Sequence, residues 1–342
     1  MRIAVDAMGG DHAPRTAVTG AYRAAVEDGA SILLVGDAGV VRAELARLGD
    51  TSGLIEVVHA DEVVGMDEPA ITPIRKKRRS SLRICAELVR DGAADAMVSA
   101  GNTGAAMIVA KMVIGTSDGV DRPALAAVFP SAEGQTVVLD VGANVDTKPE
   151  HLRQFAVMGH FYAQEILRAA RPRIGLLSIG EESAKGTDVT RETFGVLGRT
   201  GLNFIGNVEG GDFFSGAVDV VVCDGFVGNA VLKSAEAMAT LMASMLREEI
   251  ERSPRARLGY AMAKPAFDAF RRRVDYAEYG AAPLLGLKGG CFIAHGRSDA
   301  RAIKNSVRRA VEFCTADLHR KIHDKVAELH ARERELSQED TR

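Results

Sequence analysis

Tryptophan is absent from this chain of 342 residues, and aromatic residues make up only 5% of it. We therefore do not expect aromatic platforms to carry its function. The chain also lacks an excess of either charge, because 43 Lys and Arg stand against 46 Asp and Glu and leave a net charge of −3. A net charge this close to zero produces no long-range positive potential that would attract nucleic acid. Any basic surface must therefore be local.

Long hydrophobic runs and paired cysteines are lacking as well. The longest stretch without a charged residue, residues 96–110, is too short and too polar to cross a bilayer. The chain passes from Met1 and Arg2 directly into an apolar segment without a signal core, so we expect it in the cytoplasm. The four cysteines form no CxxC pair and should be reduced core residues: Cys85, Cys223, Cys291 and Cys314.

Glycine, by contrast, is abundant, with 35 residues. Short β-branched runs alternate with helical stretches, and we predict strands at residues 3–5, 31–35, 54–58, 96–98, 125–129, 137–139, 174–178, 220–223 and 291–294. Most of these runs are uniformly apolar, as expected of strands buried on both faces. The pattern predicts a three-layer α/β/α fold with a largely parallel sheet, in which ligands bind at the carboxyl ends of the strands.

Several predicted strands run directly into polar loops that contain glycine. Free backbone N–H groups and the positive end of a helix dipole favour an anion such as phosphate at such junctions, although a tight turn is the competing explanation for any one of them. We expect these loops to converge on one edge of the sheet. Residues 98–106 and 222–230 echo each other as strand, Gly-x-x-Gly and helix, which we interpret as recurrent turn chemistry.

Two long helical segments follow in the second half of the chain. Residues 228–252 predict one helix that continues as a basic segment to residue 274, interrupted by Pro265, and together they indicate a projecting arm at about residues 228–278. Apolar residues from Ile303 to Leu329 recur in steps of three and four, which predicts one packed final helix. We expect residues 1–330 to form a single α/β catalytic unit and residues 331–342 a polar tail.

Common nucleotide and catalytic signatures are missing. Neither G-x-x-x-x-G-K-[ST] nor a strand followed by G-x-G-x-x-G occurs, so ATP and NAD are disfavoured. Gly115-Thr116-Ser117-Asp118-Gly119 matches G-x-S-x-G, but it follows a helical run and lacks the strand that precedes a nucleophile elbow. His319 and His323 lie four residues apart without a third ligand, so no metal site is expected.

Two basic clusters remain as candidate binding surfaces. The first cluster precedes a helix start at Ser80 and Ser81, and its density of charge favours an acidic protein or a phosphate-bearing ligand over a solvated face: Arg75, Lys76, Lys77, Arg78 and Arg79. On the arm, basic residues alternate with apolar ones, a combination that suits a membrane surface or a subunit interface. These residues are Arg255, Arg257, Arg271 and Arg272 with Leu258, Tyr260, Met262, Phe267 and Phe270.

Taken together, the motifs closely resemble the PlsX family, the phosphate acyltransferases of bacterial phospholipid synthesis. The resemblance covers nearly the whole chain in order, and it rests on VDAMGGD at residues 5–11, SAGNTGA at 99–105, LDVGAN at 139–144, IGEE at 179–182 with Lys185 and Gly186, FIGNVEG at 204–210, CDGFVGN at 223–229, YGAAPLLG at 279–286 and AHG at 294–296. Such a set is far more specific than any of its members.

The resemblance implies a fold similar to the isocitrate and isopropylmalate dehydrogenases and to the phosphotransacetylases. It implies that the chain converts acyl-[acyl-carrier-protein] and inorganic phosphate into acyl phosphate and free carrier protein. It also implies a homodimer that supplies a membrane-embedded glycerol-phosphate acyltransferase, so we expect peripheral contact of the chain with the inner face of the cell membrane. We expect no cofactor or metal, because the reaction requires none. Lys185 and Asn229 are the residues that the resemblance implies to be catalytic.

This chemistry suits the residues present. Phosphate is itself the nucleophile and a thiolate is a good leaving group, so neither a Ser or Cys nucleophile nor ATP is required. The reaction needs an anion cradle beside a thioester carbonyl and donors aimed at the oxyanion. Besides Lys185 and Asn229, the candidate phosphate- or substrate-binding residues are Asp6, Gly9, Gly10, Asp11, Ser99, Gly101, Asn102, Thr103, Gly104, Asn144, Asp224, Gly225, Gly228 and His295.

Alternative functions remain open at this point. A phosphotransacetylase acting on acyl-CoA differs only in the thiol carrier, and the two basic clusters favour an acidic carrier protein as the docking partner. A non-catalytic phosphate-binding scaffold at the membrane would keep the loops without the chemistry. A dehydrogenase is disfavoured, because a related fold alone does not carry function.

Overall fold

The computed structural model describes residues 1–49, 53–274 and 280–339 of the chain. Its strands are β1 (Arg2–Asp6), β2 (Ser31–Gly36), β3 (Ile55–His59), β4 (Ala96–Ser99), β5 (Ala124–Ser131), β6 (Gly134–Leu139), β7 (Ile174–Leu177), β8 (Phe204–Val208), β9 (Val220–Val222), β10 (Ala282–Leu285) and β11 (Gly290–Ile293).

The helices between these strands vary widely in length. They are α1 (Arg15–Asp28), α2 (Ala38–Ala46), α3 (Thr72–Arg75), α4 (Ser81–Arg90), α5 (Thr103–Val109) with a following π-helical turn (Ala110–Ile114), α6 (Pro149–Glu165), α7 (Asp188–Leu197), α8 (Asp212–Ser215), α9 (Gly225–Arg252), α10 (Pro254–Val274), α11 (Ala300–Thr315) and α12 (Leu318–Glu339).

The strands form one sheet in the order β3-β2-β1-β4-β11-β10-β5-β6-β9-β7-β8. At one end β3, β2, β1, β4 and β11 are parallel to one another. At the other end β6, β9, β7 and β8 are also mutually parallel. Between these groups, β10 is antiparallel to both β11 and β5, and β5 is antiparallel to β6. The two parallel groups therefore run in opposite directions.

Apolar side chains cover both faces of the sheet, because alternate residues of a strand point to opposite sides. Ile3 and Val5 of β1 pack in one cluster with residues of α1, α6, α11 and α12. Ala4 packs in a second cluster on the other face, with residues of α4 and α5. The predicted three-layer α/β/α fold with a largely parallel sheet is thus confirmed.

All nine predicted strands are present, and β8 and β10 are additional. β10 was missed because it contains Pro283, which has no backbone N–H and is unusual within a sheet. The prediction of one final helix is wrong, since α11 ends at Thr315 and Asp317 adopts a φ of 52° before α12 begins. The apolar period continues across the break, because both helices pack on the same face.

The helices α9 and α10 occupy the segment predicted as an arm. With 28 residues, α9 is about 42 Å long. It starts at the carboxyl end of β9, and its buried residues are Gly225 and Gly228 near that end. Most of its remaining side chains are exposed, and α10 packs along it after the break at Ser253.

Candidate active site

The polar loops that follow the strands lie at two opposite edges of the sheet. The loops after β1, β4 and β11 lie at one edge, here called the Asp6 edge, and those after β6, β7 and β9 at the other, here called the Lys185 edge. Three strands separate β4 from β6, which corresponds to about 19 Å across the sheet. The prediction that the loops converge on one edge is therefore wrong, because three successive antiparallel pairings between β11 and β6 leave the two parallel groups running in opposite directions.

At the Asp6 edge the loops after β1 and β4 pack tightly together. Asp6 is 3% exposed, and its carboxylate accepts hydrogen bonds from the Met8 amide at 3.1 Å and the Ser99 hydroxyl at 2.7 Å. Burial raises the pKa of this carboxyl. A Cβ on Gly9 would lie 2.8 Å from the Gly101 nitrogen, so the absence of a side chain permits the close approach.

Further hydrogen bonds tie the Asp6 edge together. Asn102 caps α5 by accepting from the Ala105 amide at 3.0 Å, and its own amide group donates to two carbonyl oxygens of the 66–68 segment. The Asp11 amide donates to the Gly296 carbonyl at 2.8 Å. Several donors of this edge are therefore engaged within the protein. The same loops contain the remaining candidates Gly10, Thr103, Gly104 and His295.

At the Lys185 edge, a fully buried carboxylate organises the loop after β6. Asp140 Oδ1 accepts hydrogen bonds from three backbone amides at 2.9–3.2 Å, and Oδ2 accepts from the Asn144 amide at 2.6 Å. Burial raises the pKa of Asp140. The Asn144 side chain donates to the Asp140 carboxylate at 2.9 Å and to the Pro123 carbonyl at 2.8 Å. The 140–144 loop is thus anchored to the start of β5.

The helix α9 begins directly on the 140–144 loop. Asp224 caps it by accepting from the Val227 amide at 2.9 Å, and the Gly225 amide donates to a carbonyl of the loop at 2.8 Å. A Cβ on Gly228 would lie 1.9 Å from another carbonyl oxygen of the same loop, so only glycine fits here. The positive end of a long helix is therefore held against this edge.

Asn229 and Lys185 both lie at this edge, after neighbouring strands. Asn229 is near the N-terminus of α9, and its Oδ1 is 3.7 Å from the position that a Cβ on Gly142 would occupy. Lys185 lies in the loop after β7, the strand that pairs with β9. Its aliphatic stem lies over Gly180, with Cγ 3.2 Å from the Cβ position of that glycine, and its side chain is exposed. The two residues therefore lie on the same edge of the sheet, in segments that follow adjacent strands.

Three further residues at the Lys185 edge were not singled out from the sequence. His151, at the start of α6, is 7% exposed, and its Nδ1 accepts a hydrogen bond from the Lys148 amide at 3.1 Å. Burial, together with the nearby charges of Arg122 and Lys148, lowers the pKa of His151. These cations add positive charge near the 140–144 loop. They belong to no motif, so no sequence signal marked them.

The first basic cluster lies at the Asp6 edge. It leads into α4, whose first residue Ser81 hydrogen-bonds to Asp6. Lys77 and Arg79 form ion pairs with nearby carboxylates. Within the described residues, the members that are exposed and form no ion pair are Arg75, Lys76 and Arg78.

The arm exposes a set of large apolar side chains. Leu258 is 65%, Met262 78% and Phe270 59% exposed. Tyr260 and Phe267 are partly covered and contact each other, with ring centroids 5.0 Å apart. Arg255 and Arg257 are exposed as well, whereas the side chains of Arg271 and Arg272 lie outside the described residues.

Several other side chains with chemical potential have structural roles. Ser117 is buried, follows a helical turn as predicted, and donates to the Leu287 carbonyl at 3.0 Å. The four cysteines are free and buried, and burial raises their pKa values. Among residues 1–49, 53–274 and 280–339, no group of three or more His, Cys, Asp or Glu could hold a metal ion. The described helices include none long and apolar enough to cross a membrane.

The fold is that of the phosphotransacetylases. It matches a phosphotransacetylase from Streptococcus pyogenes over 92% of this chain and 94% of that one, with a TM-score of 0.63 and 18% sequence identity. EutD phosphotransacetylase from Staphylococcus aureus matches over 92% and 93%, with a TM-score of 0.59 and 16% identity. Identities this low establish the fold alone.

Sequence similarity then identifies the family. A family described as "Fatty acid synthesis protein" matches residues 1–321. Phosphate acyltransferase of Citrifermentans bemidjiense is 52% identical over 339 residues, which are 98% of this chain and 96% of that protein. The Geobacter sulfurreducens phosphate acyltransferase is 50% identical over 327 residues, 95% of this chain and 94% of its own. The chain belongs to this family, the PlsX phosphate acyltransferases, and is an acyltransferase of fatty acid and phospholipid synthesis.

Proposed function

We propose that the chain transfers an acyl group from the thioester of acyl-carrier protein to inorganic phosphate, which yields acyl phosphate and free carrier protein. The observation that carries the proposal is the placement of Lys185 and Asn229 at one edge of the sheet, beside the positive end of α9. Relatives at 50–52% identity are named phosphate acyltransferases, whereas the phosphotransacetylases share only the fold. An acyl-CoA donor is therefore not favoured.

In the proposed reaction, a phosphate oxygen attacks the carbonyl carbon of the thioester. The tetrahedral intermediate collapses with cleavage of the C–S bond, and the carrier leaves as a thiolate that takes up a proton from solvent. No covalent intermediate forms on the protein. The ammonium group of Lys185 neutralises charge on the phosphate, and the side-chain amide of Asn229 donates a hydrogen bond to the oxyanion. Arg122 and Lys148 add to the attraction for the anion.

A homodimer gives the Asp6 edge a part in the same site. Within one subunit the sheet separates this edge from Lys185, so the two cannot hold one phosphate. We propose that the Asp6 edge of one subunit faces the Lys185 edge of its partner, which creates two equal sites by two-fold symmetry. One subunit would contribute Asn144, Asp224, Gly225 and Gly228 with Lys185 and Asn229, and the other Asp6, Gly9, Gly10, Asp11, Ser99, Gly101, Asn102, Thr103, Gly104 and His295.

The exposed basic residues would receive the acidic carrier protein. Arg75, Lys76 and Arg78 lie at the Asp6 edge, beside the site that the dimer would form. The product would pass to a glycerol-phosphate acyltransferase in the membrane. We propose a cytoplasmic protein whose arm contacts the inner face of the membrane through its exposed apolar and basic side chains, including Leu258 and Met262.

The test is an assay in which hydroxylamine traps acyl phosphate made from acyl-carrier protein. We expect product only when phosphate is present, and we expect Lys185→Ala and Asn229→Ala to lower turnover about 10² to 10³-fold. Lys321→Ala, which removes a lysine paired with Glu165, should leave turnover unchanged. Wild-type turnover in the two folded variants would contradict the assignment. Faster turnover of acyl-CoA than of acyl-carrier protein, at equal chain length, would overturn the choice of donor.

A further inference from the structure

Within the part of the chain that the structure describes, one side chain of the neighbouring strand β8, that of Asn207, donates a hydrogen bond to the loop that carries Lys185. Glu182 begins a turn in which the Lys185 amide donates to the Glu182 carbonyl at 3.0 Å. The same carbonyl oxygen accepts a second hydrogen bond, at 2.8 Å, from the side-chain amide of Asn207 on β8. One oxygen atom thus joins the turn of Lys185 to the sheet.

Asn207 is buried, and among the described residues its side chain forms this one hydrogen bond. The residue is 6% exposed, and its Oδ1 has no hydrogen-bond partner within the described residues. An amide buried with half of its hydrogen-bonding capacity unused is unfavourable, and an apolar residue would suit a position that served packing alone. The bond to the Glu182 carbonyl is therefore the feature that accounts for an asparagine here.

Contacts at both ends of the loop complete its support. The stem of Lys185 crosses Gly180, where a Cβ would lie 2.9 Å from Glu182 Oε2 and 3.2 Å from Lys185 Cγ. At the other end, Gly186 has a φ of 93°, and a Cβ on it would lie 2.9 Å from the Ser178 hydroxyl. The path of the loop is thus restricted by close packing at both ends, and the turn that Asn207 contacts lies between them.

We propose that Asn207 is a positioning residue for Lys185, which acts by holding the Glu182 carbonyl and hence the turn from which the ammonium group reaches the phosphate. The inference rests on the proposed function, since it gives Lys185 its role. A displacement of about 1 Å at a reacting group can lower a rate about a hundredfold, so a lost tether should be visible in turnover. Binding of the carrier protein should be little affected, because its proposed docking residues Arg75, Lys76 and Arg78 belong to the Asp6 edge and not to the loop of Lys185.

The experiment compares Asn207→Ala and Asn207→Leu with the wild type in the acyl-phosphate assay. Leu has the same number of side-chain heavy atoms and the same branching as Asn but no donor, which keeps the test valid if the smaller Ala side chain leaves a damaging cavity. We expect kcat to fall about 10 to 100-fold while the KM for acyl-carrier protein changes less than about twofold. Hydrogen–deuterium exchange at the Lys185 amide should become faster. In a Lys185→Ala background, Asn207→Ala should change turnover less than about twofold, because the side chain that it positions is gone.

Asn203→Ala is the matched control. Asn203 immediately precedes β8, and its side-chain amide also donates to a backbone carbonyl, that of Arg171, at 3.2 Å, at the end of the strand away from Lys185. This variant should keep wild-type kcat. If Lys185→Ala is impaired but folded Asn207 variants keep kcat, or lose it equally in both backgrounds, this inference alone is overturned. If Lys185→Ala itself keeps wild-type turnover, both this inference and the proposed role of Lys185 are overturned.

Discussion

At the scale of single residues, glycine has two roles that look alike in the sequence. Gly9 and Gly228 both lie at junctions of strand, loop and helix that are typical of anion binding, yet each allows one backbone to approach another at a distance that a side chain would block. The motif shows that glycine is required, but it does not show whether the reason is a ligand or a neighbouring loop. That neighbour comes from a strand far away in the chain.

A pair of helical glycines tests this packing role. Gly228→Ala places a Cβ 1.9 Å from the Asp140 carbonyl oxygen, so we expect the free energy of unfolding to fall by about 2–3 kcal/mol. Gly195→Ala in α7 places a Cβ in open space, so helix propensity should raise the free energy of unfolding by about 0.5–1 kcal/mol. Urea titration of both variants measures the difference, and equal effects would contradict the packing role.

The residues that sequence analysis did not single out act through contacts with distant parts of the chain. His151 is close to Arg122, which lies in the loop before β5, and Asn207 meets a loop 25 residues earlier in the chain. Neither residue type is unusual in its local context. Asn207 lies within the family motif at residues 204–210, but the motif alone gives it no role, whereas the family resemblance implies that Lys185 and Asn229 are catalytic.

At the scale of elements, the β5–β6 hairpin shows that one wrong prediction, the convergence of the glycine-containing loops on one edge of the sheet, was avoidable. Ser131 pairs with Gly134, so two residues reverse the chain. Predicted strands 125–129 and 137–139 are separated by only seven residues, too few for the crossover of a dozen or more that parallel strands need. The break between α11 and α12 is different, because the apolar period continues through it and leaves no signal.

The arm is the element that we expect to contact the membrane. Replacing Leu258 and Met262 by Glu puts charge on side chains that are 65% and 78% exposed, and it should weaken co-sedimentation with vesicles containing anionic phosphatidylglycerol several-fold. Met112→Glu is the control, since Met112 is also exposed, at 60%, but lies in the π-helical turn outside the arm. Equal vesicle binding by all these proteins would argue against membrane contact.

At the scale of the whole molecule, the sheet consists of two halves that run in opposite directions. The two Gly-x-x-Gly junctions predicted as recurrent turn chemistry occupy corresponding places, one between β4 and α5 and the other between β9 and α9. Each packs against the loop of a neighbouring parallel strand that ends in a buried aspartate, Asp6 or Asp140. The similarity between the two Gly-x-x-Gly segments therefore reflects the similar packing of the two junctions.

The proposed arrangement of the dimer predicts that two inactive variants can rescue each other. Lys185→Ala impairs the Lys185 edge, and Gly101→Val should disrupt the Asp6 edge. If each site combines edges from two subunits, random mixing leaves one intact site in half of the dimers, and about a quarter of wild-type turnover should return. Denaturation and refolding of the mixed variants, followed by the acyl-phosphate assay, measures this recovery. Absence of recovery would place each site within a single subunit.

Docking of the carrier protein should depend on the charges of the first basic cluster. Arg75→Glu with Arg78→Glu should raise the KM for acyl-carrier protein about tenfold at low salt, change the KM for phosphate little, and weaken the dependence on salt. Arg42→Glu with Arg199→Glu makes the same change of net charge at exposed positions elsewhere. Equal KM values for the two double variants would exclude the cluster as the docking surface.

The sequence by itself determined most of the secondary structure, the three-layer class and the family, because these depend on local periodicity and on motifs that are contiguous in the chain. It did not determine which loops share an edge. That depends on the direction of each strand. The three successive antiparallel pairings β11–β10, β10–β5 and β5–β6 leave the two halves of the sheet running in opposite directions, and β10 and β5 are distant in the chain. Only the tertiary structure showed that the glycine-rich loops divide between the Asp6 edge and the Lys185 edge. Non-local pairings, such as β11 with β4 and β9 with β6, determine the edge of the sheet at which each strand ends.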